Sequence, residues 1–187
     1  MPIVAKGGLN NSNYKKDLNI KKSRKILGKN KIIGVTCHNS KKFAMEAKNN
    51  GADYIAFGSF FKSVTKKTPF RANLTILRWA KKKINIPSVA IGGINNSNYK
   101  KILSSGANYI AFGAFFRSST KKTTYNANLA LLRWSKKKIN IPVVAIGGIN
   151  SSNYKKILSN GAKLIACSGY IWNNKKLDPV SAIKKFK

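Results

Sequence analysis

The chain has 187 residues, of which 43% are hydrophobic, and it carries 37 Lys+Arg against 4 Asp+Glu for a formal net charge of +33. This length allows one sizeable core, and no apolar stretch approaches the 18 or so residues expected of a membrane-spanning helix. Cys37 and Cys167 stand alone without a CxxC motif, which argues against a metal site or disulfide and favours the reducing cytoplasm.

The positive charge has two interpretations. It could attract polyanions such as nucleic acid or an anionic membrane. It is also typical of solvated helix faces in a chain with a general preference for Lys, Asn and Ile, because most of the cations stand as Lys-Lys or Lys-Lys-Lys runs within amphipathic stretches.

Taken in chain order, seven apolar runs predict strands. They are continuous rather than alternating, which is typical of parallel strands buried on both faces. The runs are Pro2–Ala5, Ile32–Cys37, Tyr54–Phe57, Pro87–Ile91, Tyr109–Phe112, Pro142–Ile146 and Leu164–Cys167. Between them lie segments with the 3.6-residue period of helices, such as Ala72–Lys83 and Ala127–Lys138.

This alternation predicts an α/β fold of the (βα) TIM-barrel-like class in a single domain over residues 1–187. Seven strands are one fewer than an eight-stranded barrel requires. The barrel is therefore either incomplete or completed by another chain, or a strand is hidden within residues 19–31.

An internal repeat dominates the chain. Gly51–Ser105 and Gly106–Asn160 are identical at 42 of 55 positions, and Pro2–Leu18 matches Pro87–Leu103 at 13 of 17 positions as a partial third copy. Each full copy holds two strand-loop-helix units, and its loops are repeated as closely as its strands. The strand-end loops are thus the place to look for function.

The first candidate site is a glycine pair that follows a predicted strand in each copy, Gly92-Gly93 and Gly147-Gly148. Glycines let backbone amides approach an anion closely, and the start of a helix favours negative charge, so the pattern predicts phosphate binding. A tight strand-to-helix turn that needs positive φ is the alternative explanation.

The second candidate is a loop of hydroxyl and basic side chains after the strand Tyr-Ile-Ala-Phe. Hydroxyls two residues apart beside an ammonium group suit a pyrophosphate. The residues are Ser63, Thr65 and Lys66 in the first copy and Ser118, Thr120 and Lys121 in the second.

Two further strand ends carry polar side chains. Thr36 and His38 lie in Ile-Gly-Val-Thr-Cys-His, and His38, the one histidine, is either an acid-base group or a capping residue. Ser168 precedes Gly169 at the end of the last predicted strand and could complete a phosphate site.

In order, the motifs I-I-G-V-T-C-H-N, G-A-D-Y-I-A-F-G-x-F-F-x-S-x-T-K, P-x-V-A-I-G-G-I and C-S-G-Y-I resemble the second half of thiamine phosphate synthases and their thiazole tautomerase relatives. The resemblance implies a (βα)8 barrel that joins a pyrimidine pyrophosphate to a thiazole phosphate with Mg²⁺ and releases pyrophosphate. Thr36 and the Ser63, Thr65, Lys66 loop would then lie at the pyrophosphate.

The resemblance also places the glycine pair and Ser168 at the thiazole phosphate, with the second copy as the better candidate because Ser168 ends the strand after Gly147-Gly148. Asp17 resembles a metal-binding aspartate of the family. The family's first-half patterns, a Gln-x-Arg-x-Lys strand and an Asn-Asp pair, do not occur in this chain.

Three alternatives remain open at the sequence level. The chain could be a thiazole tautomerase with His38 as its base, a rearranged barrel that binds phosphate compounds without catalysis, or a polyanion binder. We expect no membrane association, and a homo-oligomer is compatible with the sequence.

Overall fold

A computed structural model describes residues 4–5, 20–30, 32–62, 71–117 and 127–186. Strands and helices alternate along them, as the sequence predicts. The elements are β1 (Val4–Ala5), α1 (Ile20–Leu27), β2 (Gly34–His38), α2 (Lys41–Asn49), β3 (Tyr54–Phe57), α3 (Thr75–Lys83), β4 (Ser88–Ile91), α4 (Tyr99–Ser104), β5 (Tyr109–Gly113), α5 (Leu129–Lys138), β6 (Val143–Ile146), α6 (Tyr154–Ser159), β7 (Leu164–Cys167), α7 (Gly169–Trp172) and α8 (Pro179–Lys184).

The predicted strands all appear, six of them with four or five residues and the first as a two-residue pairing. The stretch 19–31, where a hidden strand was one possibility, contains helix α1 instead. Helix formation there follows from apolar side chains at helical spacing between Lys and Arg.

The described residues form two compact units. The N-terminal unit comprises residues 20–30, 32–62 and 71–109, and the C-terminal unit comprises residues 4–5, 110–117 and 127–186. A single domain over residues 1–187 stays a prediction.

The N-terminal unit contains a parallel sheet in the order β2-β3-β4. Ile55 in β3 is paired with Ser88 in β4, and the β2/β3 register shifts between Thr36 and His38. Helix α2 begins at an N-cap, Ser40, whose side chain accepts a hydrogen bond from the Phe43 amide at 3.1 Å.

The C-terminal unit has the parallel order β1-β7-β6-β5. Helix α5 starts after Asn128, whose side chain accepts from the Leu131 amide at 3.0 Å. Helix α8 starts after Asp178, whose carboxylate accepts from the amides of Val180 and Ser181 at 2.9 and 3.1 Å. The side chain and backbone of Ser181 hold the pKa of Asp178 below its usual value.

The two units fill their cores with the same side chains of the repeat. Four pairs of equivalent apolar residues are fully buried, with no exposed surface at any of the eight positions. They are Ile55 and Ile110, Phe57 and Phe112, Leu77 and Leu132, and Ile102 and Ile157. The duplicated sequence therefore packs as a duplicated structure, with the strand ends of each copy carrying equivalent loops.

Candidate functional site

Both glycine pairs adopt left-handed backbone conformations directly after a parallel strand. In the N-terminal unit φ is +98° at Gly92 and +68° at Gly93, and in the C-terminal unit φ is +100° at Gly147 and +64° at Gly148. Residues with a Cβ rarely adopt these angles. The turn itself thus requires glycine.

A close approach by the preceding loop adds a second requirement. The loop after β5 lies against the glycine pair that follows β6, and Phe116 donates its amide to the Gly147 carbonyl at 3.1 Å. A Cβ built on Gly148 would lie 2.4 Å from the carbonyl oxygen of Arg117 and 2.6 Å from that of Phe116. No atom larger than hydrogen fits at this position.

The N-terminal copy repeats the arrangement after β4. The amides of Phe60 and Phe61 donate to the Gly92 carbonyl at 3.2 and 3.1 Å. A Cβ on Gly93 would lie 2.4 Å from the Phe61 carbonyl oxygen. Each glycine pair therefore joins two neighbouring strand-end loops.

An asparagine braces each loop from its helix side. The Asn153 side chain donates to the Gly148 carbonyl at 3.1 Å and accepts from the Asn150 amide at 2.9 Å. Asn98 makes the same two bonds in the N-terminal copy, to Gly93 at 2.9 Å and from Asn95 at 2.9 Å. The backbone of each glycine loop is held rigid.

Two amides of each glycine loop have no hydrogen-bond acceptor among the described residues. Among the described residues, no acceptor is bonded to the amides of Gly148 and Ile149, or to those of Gly93 and Ile94 in the other copy. Consecutive amides in a rigid loop form an anion-binding concavity. Helices α4 and α6 have only six residues each, so we consider the loop amides rather than a helix N-terminus as the backbone donors to an anion.

Ser168 lies in the same compact unit as the C-terminal glycine pair, Gly147-Gly148. Strands β6 and β7 are adjacent and parallel, with Ile146 paired to Ala166, so Gly147 and Ser168 leave the sheet at the same edge. Ser168 is exposed at the start of α7, and its carbonyl accepts the amides of Ile171 and Trp172, both at 2.9 Å. Ser168 thus follows the strand next to the one that leads into the glycine loop that the sequence favoured.

Comparison with models of protein families identifies the family of this chain. The family model of thiamine monophosphate synthase matches residues 14–111 and, in an overlapping second match, residues 99–171. The chain belongs to this family. The two matches share residues 99–111, which span the junction between the two copies of the repeat.

Curated thiamine-phosphate synthases are similar to this member of the family over long segments. The protein of Pelagibacter ubique is 41% identical over 172 residues, which are 92% of this chain and 56% of that protein. The protein of Nitrosococcus oceani is 46% identical over 103 residues, which are 54% of this chain and 48% of that protein. The chain spans about half the length of the curated relatives it matches.

Solved structures confirm the TIM-barrel-like α/β fold class of this family member. A thiamine phosphate pyrophosphorylase from Pyrococcus furiosus aligns with a TM-score of 0.67 at 21% identity, over 91% of this chain and 77% of that chain. A 3-hexulose-6-phosphate synthase aligns with a TM-score of 0.68 at 18% identity, over 96% and 84%. At these identities the likeness concerns the fold alone.

The polar residues predicted on β2 lie in the N-terminal unit. Thr36 is half-buried and paired with Ala56, while His38 has φ +51° and accepts the Gly58 amide through its carbonyl at 3.1 Å. Strand β3 separates them from β4 and its glycine pair. A catalytic role for Thr36 or His38 stays a prediction.

Several predicted site residues lie outside the described residues. These are Asp17, Ser63, Thr65, Lys66, Ser118, Thr120 and Lys121. Their pyrophosphate and metal roles stay predictions. The hydroxyl and lysine loops do, however, follow Lys62 and Arg117, which directly extend the loops that contact the two glycine pairs.

The described residues do not fit a resident Mg²⁺, which prefers carboxylate oxygens. They contain no group of three acidic, histidine or cysteine side chains that could hold a metal. Asp178 caps α8, and Asp53 forms an ion pair with Arg24 and accepts the Ile33 amide at 2.5 Å. Glu46, the remaining carboxylate of the described residues, lies in helix α2.

The cysteines do not supply a nucleophile. Burial raises the pKa of both Cys37 and Cys167 to about 12, so both thiols are protonated at neutral pH. Both are free and buried in strands.

Sequence reasoning missed the side chains that support the glycine loops. The signal was present, because Asn95 and Asn98 recur as Asn150 and Asn153 in both copies. It also missed a hydrogen bond of 2.7 Å between the Ser151 and Tyr170 hydroxyls. No local pattern predicts that contact, since the two residues follow different strands.

No helix among the described residues is both long enough and apolar enough to cross a membrane.

Proposed function

We propose that the protein is a thiamine phosphate synthase, which joins a pyrimidine group from its pyrophosphate ester to a thiazole phosphate. In this reaction the carbon-oxygen bond to pyrophosphate breaks, a carbon-nitrogen bond to the thiazole ring forms, and pyrophosphate leaves. The observation that carries the proposal is a glycine loop, braced by side-chain hydrogen bonds, whose two amides have no acceptor among the described residues, in a chain that belongs to the thiamine monophosphate synthase family.

The thiazole phosphate is the ligand we assign to the C-terminal copy. The amides of Gly148 and Ile149 would donate to phosphate oxygens, and the Ser168 hydroxyl would add a third donor from the neighbouring strand end. Rigid donors lose little entropy on binding, so the asparagine-braced loop would orient the thiazole ring for attack.

The pyrophosphate end of the reaction is assigned to residues outside the described part of the chain. Ser63, Thr65 and Lys66, or their counterparts Ser118, Thr120 and Lys121, would stabilise the charge that develops on the leaving pyrophosphate. Mg²⁺ is the cofactor that the family resemblance implies, and Asp17 is the residue proposed to bind it. A cytoplasmic location and a homo-oligomer remain predictions.

The names of the relatives favour this activity over the alternatives. The relatives reported above are thiamine-phosphate synthases, whereas tautomerase activity depends on the untested His38 and passive phosphate binding has no specific support. The high positive charge agrees with anionic substrates but also with solvated helix faces.

A coupled assay tests the proposal. Purified protein is mixed with thiazole phosphate, the pyrimidine pyrophosphate and Mg²⁺, and both thiamine phosphate and pyrophosphate are measured. We expect equimolar formation of the two products. No turnover at micromolar protein, with the full-length Pelagibacter ubique relative active beside it, would refute the synthase proposal.

A further inference from the structure

The two glycine loops are alike in backbone but differ in one side-chain contact. The corresponding φ angles differ by only 2° at the first glycine and 4° at the second. Residue 96 of the N-terminal copy is Asn, and the equivalent residue of the C-terminal copy is Ser151. This substitution falls in the turn between the glycine pair and the following helix.

Ser151 connects two strand-end segments of the C-terminal unit. Its hydroxyl is 2.7 Å from the Tyr170 hydroxyl, and both side chains are half-buried. Tyr170 lies in α7, two residues after Ser168. The contact therefore links the loop that presents the Gly148 and Ile149 amides to the segment that presents the Ser168 hydroxyl.

Aromatic packing holds Tyr170 in place on its other side. Its ring meets that of Phe186 edge-on at 5.5 Å between centroids, and Phe186 meets Tyr154 edge-on at 5.2 Å. Tyr154 begins α6, the helix that follows the glycine loop. Two sets of contacts thus connect the segment after β6 with the segment after β7. One is the hydrogen bond between the two hydroxyls, and the other is the packing of the three aromatic rings.

The N-terminal copy has no such tie within the described part of its own unit. Asn96 is exposed and makes no hydrogen bond there. The neighbouring turn is similar in the two copies, since Ser97 and Ser152 each donate their amide to an asparagine side chain at 2.9 Å. The hydroxyl pair is therefore a difference between the two loops that involves a second strand-end segment.

We infer that Ser151 and Tyr170 are positioning residues that hold the Gly147-Gly148 loop and Ser168 at a fixed separation for one phosphate group. This inference rests on the proposed function. Neither hydroxyl needs to contact the ligand. Each keeps donors from two strands aligned before the ligand binds, which lowers the entropic cost of binding.

Calorimetric titration with thiamine phosphate tests the inference. Tyr170→Phe keeps the ring against Phe186 but removes the hydroxyl, and Ser151→Ala removes its partner. We expect each variant to bind about threefold to tenfold more weakly, in line with the loss of one hydrogen bond. The double variant should bind no more weakly than either single variant, because both changes remove the same contact.

Two further variants separate positioning from general stability. Ser151→Thr keeps a hydroxyl and should recover most of the affinity. Asn96→Ala, the matched change in the other copy, should leave the affinity unchanged. Thermal unfolding of all variants is measured in parallel, and the loss of affinity should not follow the change in Tm.

The outcomes distinguish this inference from the function on which it depends. If the unchanged protein binds thiamine phosphate and Tyr170→Phe and Ser151→Ala bind equally well, the positioning role is refuted and the proposed function stands. If the two single losses add in the double variant, the residues act separately and the pair is refuted. If the unchanged protein does not bind, the proposed function fails and the inference fails with it.

Discussion

Alanine substitutions at two glycines of the N-terminal unit distinguish two contributions to the free energy of unfolding, the cost of a left-handed backbone and the cost of steric crowding. Gly28 and Gly93 have nearly the same φ, +69° and +68°. A Cβ on Gly28 would have no neighbour within 4 Å among the described residues, whereas a Cβ on Gly93 would lie 2.4 Å from the Phe61 carbonyl oxygen and 2.7 Å from its carbonyl carbon. The two alanine substitutions thus require a similar φ angle but differ in how closely the added methyl group is crowded.

The expected magnitudes follow from these distances. Gly28→Ala should lower the free energy of unfolding by about 1 kcal/mol, the cost of a left-handed alanine less a small gain from a stiffer unfolded chain. Gly93→Ala bears the same cost and must also displace a backbone carbonyl, which adds about 1 to 3 kcal/mol of overpacking. The difference between the two losses in free energy of unfolding measures the steric cost of placing a Cβ on Gly93 against the Phe61 carbonyl.

Urea unfolding, followed by both far-ultraviolet circular dichroism and tryptophan fluorescence, measures the two free energies. Coincident transitions are required for a two-state fit, because the described chain forms two compact units. Equal losses for Gly28→Ala and Gly93→Ala would refute the reasoning, since the loop contact would then contribute nothing to the need for glycine.

Three other features give measurable expectations. Cys37 and Cys167 have a pKa of about 12, so about one thiol in ten thousand should be deprotonated at pH 8. Iodoacetamide should therefore label them only after unfolding, and labelling of the native protein within minutes would contradict this. Asp178→Ala should fray α8. Because the pKa of Asp178 is lowered, the stability that its carboxylate provides should be present above about pH 4 and disappear as the pH falls through its folded-state pKa. The control variant Asp178→Asn should show no such acid transition in circular dichroism. Arg24→Met should lower the free energy of unfolding, measured by urea unfolding, by about 1 to 2 kcal/mol, because the guanidinium bridges backbone carbonyls and Asp53. A loss no larger than that of an exposed lysine variant would contradict this expectation.

The sequence was sufficient to predict the strands because parallel strands leave a strong local signal. The runs Tyr54–Phe57 and Tyr109–Phe112 are short, continuous and apolar, and they form β3 and β5 with three consecutive buried residues each. Residues 19–31 leave a weaker signal, because a short amphipathic segment of charged and apolar residues is compatible with more than one local structure. Helix α1 formed there instead of a strand.

The candidate site was predictable in part for the same reason. The glycine pairs follow strands directly, so their location and positive φ follow from local sequence. The contacts that make glycine obligatory come from a different loop, as between Gly148 and Phe116, and the tie between Ser151 and Tyr170 spans 19 residues. Local pattern predicts which residues stand at a strand end, whereas only the fold shows what they touch.

We propose above that the C-terminal glycine loop binds the phosphate of a thiamine precursor or product. Titration of ¹⁵N-labelled protein with thiamine phosphate, followed by nuclear magnetic resonance, observes the proposed donors themselves. We predict saturable shifts of the Gly148 and Ile149 amide resonances that are larger than those of Gly93 and Ile94. Unchanged Gly148 and Ile149 resonances at saturating ligand, or shifts spread evenly over the lysine-rich helices, would contradict the account.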